Sequence, residues 1–117
     1  MPTARTIFEK VDAQDIHGVA AYLAEDAIMI FGNAEPLVGR RAIVEANEQF
    51  YTSIKAIRHG IRNEWTVGDT TIVELEVTYT RLDDKDVTLP AVSLWHTTDG
   101  LITDYRVFYD PAPVYAP

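Results

Sequence analysis

HGIRNEWTVGDTTIVELEVTYTRLDDKDVTLPAVSLWHTTDGLITDYRVFY, residues 59–109, alternates apolar and polar positions in four long runs, about 59–67, 71–82, 87–97 and 101–109. A period of two places successive side chains on opposite faces of a strand. The runs are separated by Gly68–Asp69, Asp83–Asp86 and Asp99–Gly100. Connections this short oblige consecutive strands to pair antiparallel. The sequence Asp110–Pro111–Ala112–Pro113 ends the last strand, because proline cannot continue a ladder.

Upstream of this meander the period is helical. Ala4, Ile7, Phe8 and Val11 form one stripe of a first helix. Asp15 caps a second, whose stripe is Ile16, Val19, Ala20 and Leu23. Ala27–Phe31 is short, apolar and β-prone, and Gly32–Pro36 breaks it. Ile43, Ala46, Phe50, Ile54 and Ile57 mark a third helix starting just after Gly39. The order ααβαββββ predicts an α+β fold, with three helices packed on one face of a strongly curved antiparallel sheet. With 117 residues and no repeat or linker, positions 1–117 read as a single domain.

Composition narrows the function classes. Ten Lys+Arg against 18 Asp+Glu leave a net charge of −8, which argues against nucleic acid and against anionic membranes. The longest apolar runs, Val19–Ala24 and Ala27–Phe31, fall far short of the ~20 residues that span a bilayer. No cysteine is present, so disulfides, thiolate metal sites and cysteine nucleophiles are excluded. His17, His59 and His96 lack the close spacings of a metal site, and no phosphate-binding glycine motif occurs. The expectation is a soluble, cytoplasmic protein needing no metal or other cofactor.

Turn chemistry and hydrophobicity together suggest one register. A two-residue Asp99–Gly100 turn pairs Leu94 with Tyr105 and Val92 with Val107, and a tight Asp84–Lys85 turn, or a four-residue Asp83–Asp86 loop, pairs Leu75 with Leu94 and Val77 with Val92. A three-residue Gly68–Thr70 loop sets Ile61 against Val77 and His59 against Tyr79. The inner face then carries the rows His59–Tyr79–Pro90–Tyr109, Ile61–Val77–Val92–Val107, Asn63–Leu75–Leu94–Tyr105 and Trp65–Val73–His96–Thr103. No Asp or Glu of the four strands points inward. Trp95, Phe108 and Ala91 share the outer face, an apolar patch that suggests a homodimer interface.

The element order and several local strings resemble the SnoaL-like group of the nuclear-transport-factor-2-like superfamily. The strings are Asp15 before the second helix, Glu25–Asp26–Ala27 before the first strand, and Gly39–Arg40 with Ala42–Ile43 opening the third helix. Gly68–Asp69, Asp99–Gly100 and the closing run from Tyr105 to Pro113 complete the set. The resemblance implies a cone-shaped, cystatin-like α+β fold with a ligand cavity between sheet and helices, and frequent homodimers. Its superfamily includes polyketide cyclases, a steroid isomerase and limonene-epoxide hydrolases. Their catalytic groups are not matched here. The epoxide hydrolases' Trp-Arg-Asp string falls on Tyr105–Arg106–Val107, and their Arg-x-Asp pair on Val77 and Tyr79. The isomerases' base aligns with Phe31, their helix-one Tyr with Ile7 and their second acid near Val92.

His59 is the titratable group of most interest. It is expected to face inward as a base or hydrogen-bond donor, or else to cap the junction of the third helix and the sheet. Asn63, Tyr79 and Tyr105 would orient a ligand between apolar walls of Phe31, Ile61, Val77, Val92 and Val107. Three functions fit: cofactor-free acid–base catalysis on a small, apolar, oxygen-bearing molecule; binding of such a ligand without turnover; or a dimeric interaction module.

Overall fold

The structure is a computed structural model, described here for residues 2–117. Helix α1 (Ala4–Asp12) begins where the Thr3 hydroxyl accepts the N–H of Thr6 at 3.2 Å. Helix α2 (Ile16–Ala20) is capped by Asp15, whose carboxylate accepts from Gly18 N at 2.9 Å. Each cap satisfies an amide that the helix leaves without an internal partner. Strand β1 (Leu23–Phe31) and the short β2 (Leu37–Val38) precede helix α3 (Arg40–Tyr51). The meander follows as β3 (Ile54–Val67), β4 (Thr70–Arg81), β5 (Asp86–Thr98) and β6 (Leu101–Phe108), and a short α4 (Ala112–Tyr115) ends the chain.

The six strands form one curved sheet in the order β2-β1-β6-β5-β4-β3. Neighbours pair antiparallel except β1 and β6, which run parallel. The inner face of this sheet and the helices bury a common core: Ile7, Phe8, Val19 and Ile43 from the helices, and Val73, Leu75, Val77 and Trp95 from the strands. This is the expected α+β architecture, and the sequence-based order differs by three details. Helix α3 stops at Tyr51, so Ile54 and Ile57 belong to β3; Leu23 opens β1 rather than closing α2; and β2 and α4 are additional.

The register departs from expectation at β5, and the departure inverts that strand. Leu75 pairs with Ala91, not Leu94, a shift of 94 − 91 = 3 residues. The β4–β5 connection is residues 81–85 rather than a tight turn, closed by Arg81 N–H on the Lys85 carbonyl at 2.8 Å, with Asp84 at φ 67°. An odd shift exchanges faces. Leu89, Ala91, Ser93 and Trp95 therefore point inward and are buried, while Val92 and Leu94 lie on the outer face. Trp95 and Ala91 consequently cannot belong to an outer patch; Phe108, 49% exposed, does.

Two bulges and a shorter turn account for the remaining shifts. Val67 pairs with Thr70, so the β3–β4 connection is the two residues Gly68–Asp69 and not a three-residue Gly68–Thr70 loop. The Asp99–Gly100 turn forms as expected, both residues at positive φ (54° and 80°), and Thr98 faces Leu101. A bulge at Thr103 then moves the pairing by one, so Trp95 faces Tyr105 and Ser93 faces Val107. On β3 an extra residue at Arg62 reverses the alternation. His59 and Ile61 sit opposite Val77 and Leu75, whereas Asn63 and Trp65 swing to the outer face opposite Glu74 and Ile72.

Candidate functional site

The core does not fill the space between sheet and helices. A cavity of about 210 Å³ remains, walled by Val11, Ile16 and Val19 from α1 and α2, by Met29 and Phe31 from β1, and by Asn47, Phe50 and Tyr51 from α3. Its sheet wall is Ile57, His59, Leu75, Val77, Tyr79, Ala91, Ser93, Tyr105 and Val107. The inverted β5 makes this space, since Ala91 and Ser93 stand where Val92 and Leu94 would have filled it. No Lys, Arg, Asp or Glu lines the cavity among the described residues.

One hydrogen-bonded pair of titratable groups stands at the wall. The His59 backbone N–H donates to Asp12 Oδ2 at 3.1 Å, and its ring Nδ1 lies 2.6 Å from Asp12 Oδ1. An ionised carboxylate only accepts, so Nδ1 carries the hydrogen and Nε2 is left as the nitrogen that can take a proton. Phe8 stacks on the imidazole with ring centroids 4.4 Å apart and planes 9° from parallel. Phe8 and Asp12 are four residues apart on α1 and so share a helix face. One clamps the ring plane and the other fixes its rotation about that plane. A carboxylate in the last turn of a helix opposes the helix dipole, and the two bonds to His59 offset that opposition.

The remaining polarity comes from phenols. Burial, and then the neighbouring phenols with Tyr109 first among them, raise the Tyr79 pKa far above the ordinary value. Burial likewise raises the Tyr105 pKa, against a smaller lowering by the Ser93 hydroxyl. The Tyr105 ring stacks on Trp95 with ring centroids 5.3 Å apart. Tyr51 is 9% exposed and its hydroxyl has no partner among the described residues. Burial, and then the Asp12 and Asp15 charges, push its pKa up to about 12. All three are therefore neutral donors at physiological pH. The Asn47 amide donates to the Ile43 carbonyl at 2.8 Å and contacts Met29 sulfur at 3.8 Å.

Of the residues expected to form the site, His59, Tyr79, Tyr105, Phe31, Val77 and Val107 line this cavity. Three do not. Val92 faces outward because β5 is inverted; Asn63 faces outward after the Arg62 bulge and donates to Glu74 at 2.7 Å; Ile61 lies beyond the wall and is 41% exposed. His59 also does not sit beside Tyr79, since Ile57 takes that place. Sequence reasoning missed Asp12, Tyr51 and Ser93. The expectation of no inward carboxylate fails at Glu64, which the Arg62 bulge turns to the inner face opposite Val73, where it accepts the Ala4 N–H at 3.4 Å. Glu64 lies outside the cavity wall, and the acidic partner of His59 arrives from a helix. Its one signal was the i, i+4 spacing from Phe8, a residue already on the apolar stripe.

The profile of the SnoaL-like domain matches residues 4–105 of the chain. Among solved structures, an NTF2-like protein of unknown function from Burkholderia pseudomallei superposes with a TM-score of 0.85 at 20% identity, covering 93% of this chain and 88% of that one. TerC, co-crystallized with polyporic acid, gives 0.83 at 20% identity, over 95% and 91%. An LEH-like epoxide hydrolase of M. tuberculosis gives 0.81 at 15% identity, over 95% and 82%. No curated protein matches. At these identities the structural neighbours share the fold alone. With the profile spanning most of its length, the chain belongs to the SnoaL-like domain family, in the NTF2-like fold.

Proposed function

We propose that this protein binds a small, largely apolar, oxygen-bearing molecule in its cavity and moves a proton on it without a cofactor. The observation that carries this reading is the Asp12–His59 pair at the wall of an otherwise uncharged cavity. A base works best when held in one tautomer with its proton-accepting nitrogen unoccupied. The 2.6 Å contact at Nδ1 supplies both conditions. Apolar walls would supply affinity, and a few phenols orientation. The ligand in the TerC structure suits this chemical class by analogy only. A binding protein without turnover is the second reading, favoured by a cavity wall that carries no Lys, Arg, Asp or Glu among the described residues to stabilise a reacting centre.

Deuterium wash-in at the α-carbon of 1-indanone, followed by NMR, separates the two. Catalysis predicts exchange above the buffer rate and a loss on the order of 10²–10⁴-fold in His59→Gln. Indanone affinity should stay within about tenfold, since the walls remain. Binding with no accelerated exchange selects the second reading.

We also propose that a second copy covers the outer sheet face. Trp65 and Phe108 are 50% and 49% exposed there, beside partly exposed Ile28, Ile30, Ile72, Val92 and Leu94. Asp104 and Arg106 share that face and form no ion pair among the described residues. A two-fold would bring the arginine of each chain to the aspartate of the other, giving a self-complementary contact. Glu76, on the same face, pairs with Arg62.

A further inference from the structure

We infer that the Tyr51 hydroxyl is a specificity-determining donor, selecting neutral ligands that present a carbonyl oxygen at the α3 end of the cavity. The inference deepens the ligand-site reading above but does not require turnover.

Tyr51 is the last residue of α3, and its side chain lines the cavity. A buried hydroxyl without a partner is unfavourable, and native structures rarely leave one so. Two neighbouring donors are already committed, the Asn47 amide to the Ile43 carbonyl and His59 Nδ1 to Asp12. The Tyr51 hydroxyl is buried without a partner among the described residues, on a side chain that lines the cavity.

The acceptor it suits can be specified further. Asp12 and Asp15 are close enough to raise the phenol's pKa, so they also repel an anion placed against it. No Lys or Arg on the wall, among the described residues, offsets that repulsion. A carboxylate ligand is therefore disfavoured, and a neutral ketone, ester or quinone oxygen fits. Because Tyr51 feels the charge of Asp12, a carbonyl held by it lies on the side of the cavity where His59 stands.

The probes are 1-indanone and indane, a matched pair differing at the carbonyl. Their affinities are measured by calorimetry on the wild type and on Tyr51→Phe. The ketone-to-hydrocarbon affinity ratio is expected to fall about tenfold in the variant, as loss of one buried hydrogen bond implies. Indane affinity should change by less than about threefold. Infrared difference spectra should show the bound carbonyl stretch at lower frequency in the wild type than in Tyr51→Phe, a shift that a merely structural phenol would not produce. An unchanged ratio, or an unchanged stretch, overturns the role of Tyr51 while leaving the cavity a ligand site. Failure of both probes to bind the wild type overturns the ligand-site reading itself, and Tyr51 with it.

Discussion

Removing the Asp12 carboxylate tests the site and the fold together. Asp12→Ala deletes two hydrogen bonds, to His59 N and to its ring, and both belong to a mostly buried residue. A hydrogen bond to a charged group contributes about 1.5–3 kcal/mol, and a neutral one about 1. Asp12 is itself 31% exposed, so water can replace part of what is lost. A net loss of about 2–3 kcal/mol is expected, against a total stability of about 5–15 kcal/mol for a domain of this kind. The protein should remain folded. Urea unfolding followed by tryptophan fluorescence would measure the loss as a lower midpoint at unchanged slope. Asp12→Asn keeps an acceptor of the same shape and should lose about half as much. Nitrogen-15 NMR reads the second consequence: in the wild type the neutral His59 ring should be protonated at Nδ1, and in Asp12→Ala this tautomer preference should weaken. An alanine variant within about 0.5 kcal/mol of the wild type, with the tautomer unchanged, would refute the orienting role of Asp12.

Trp95→Ala should cost about 3–5 kcal/mol and lower the melting temperature by about 12 °C or more, whereas Val92→Ala should cost under about 1 kcal/mol; the reverse order in a thermal melt would refute the inverted β5. Alkali should unfold the protein through its buried phenols. A folded-state pKa of about 12 for Tyr51, above the unfolded value near 10, means the unfolded chain releases its proton first. Stability is thus present below about pH 10 and lost between about pH 10 and 12, by up to about 1.4 kcal/mol per pH unit from each such group; Tyr51→Phe should flatten this slope in alkaline denaturation. Sedimentation should find the wild type dimeric at micromolar concentration and Phe108→Glu monomeric, and a monomeric wild type would defeat the proposed interface.

The cores of the three helical stripes, the four strand runs and the Asp99–Gly100 turn were legible because each rests on local periodicity or turn chemistry; Leu23, Ile54 and Ile57 carried the helical period on into strands. The face of β5 was not. Leu89, Ala91 and Trp95 on one side and Val92 and Leu94 on the other make both faces apolar, so alternation there carried no sign. Only the length of the preceding loop decided it, and Asp84 at positive φ is the residue that a tight-turn reading misplaces. Bulges at Arg62 and Thr103 leave no local mark at all, and the first of them moved Asn63 out of the site. His59 was identifiable as an inward titratable group, but its partner was not, because Asp12 lies 47 residues away and reaches it only through tertiary packing.

The parallel pairing of β1 with β6 has a consequence for how the molecule assembles and opens. Strands β3 to β6 are joined by short turns and can zip from neighbour to neighbour, whereas Phe31 meets Val107 across 107 − 31 = 76 positions of chain. Contacts of such long range bear the largest loop-closure entropy and form late. The N-terminal segment carrying α1, α2 and β1 is thus expected to dock last onto a preformed meander, and with it come Asp12, Met29 and Phe31. The site is completed only in that final step. By the same ordering, that segment is the part whose partial release would expose the cavity without disturbing the meander. Amide hydrogen exchange would report this as lower protection in β1 than in β4 and β5, rising when a ligand is bound.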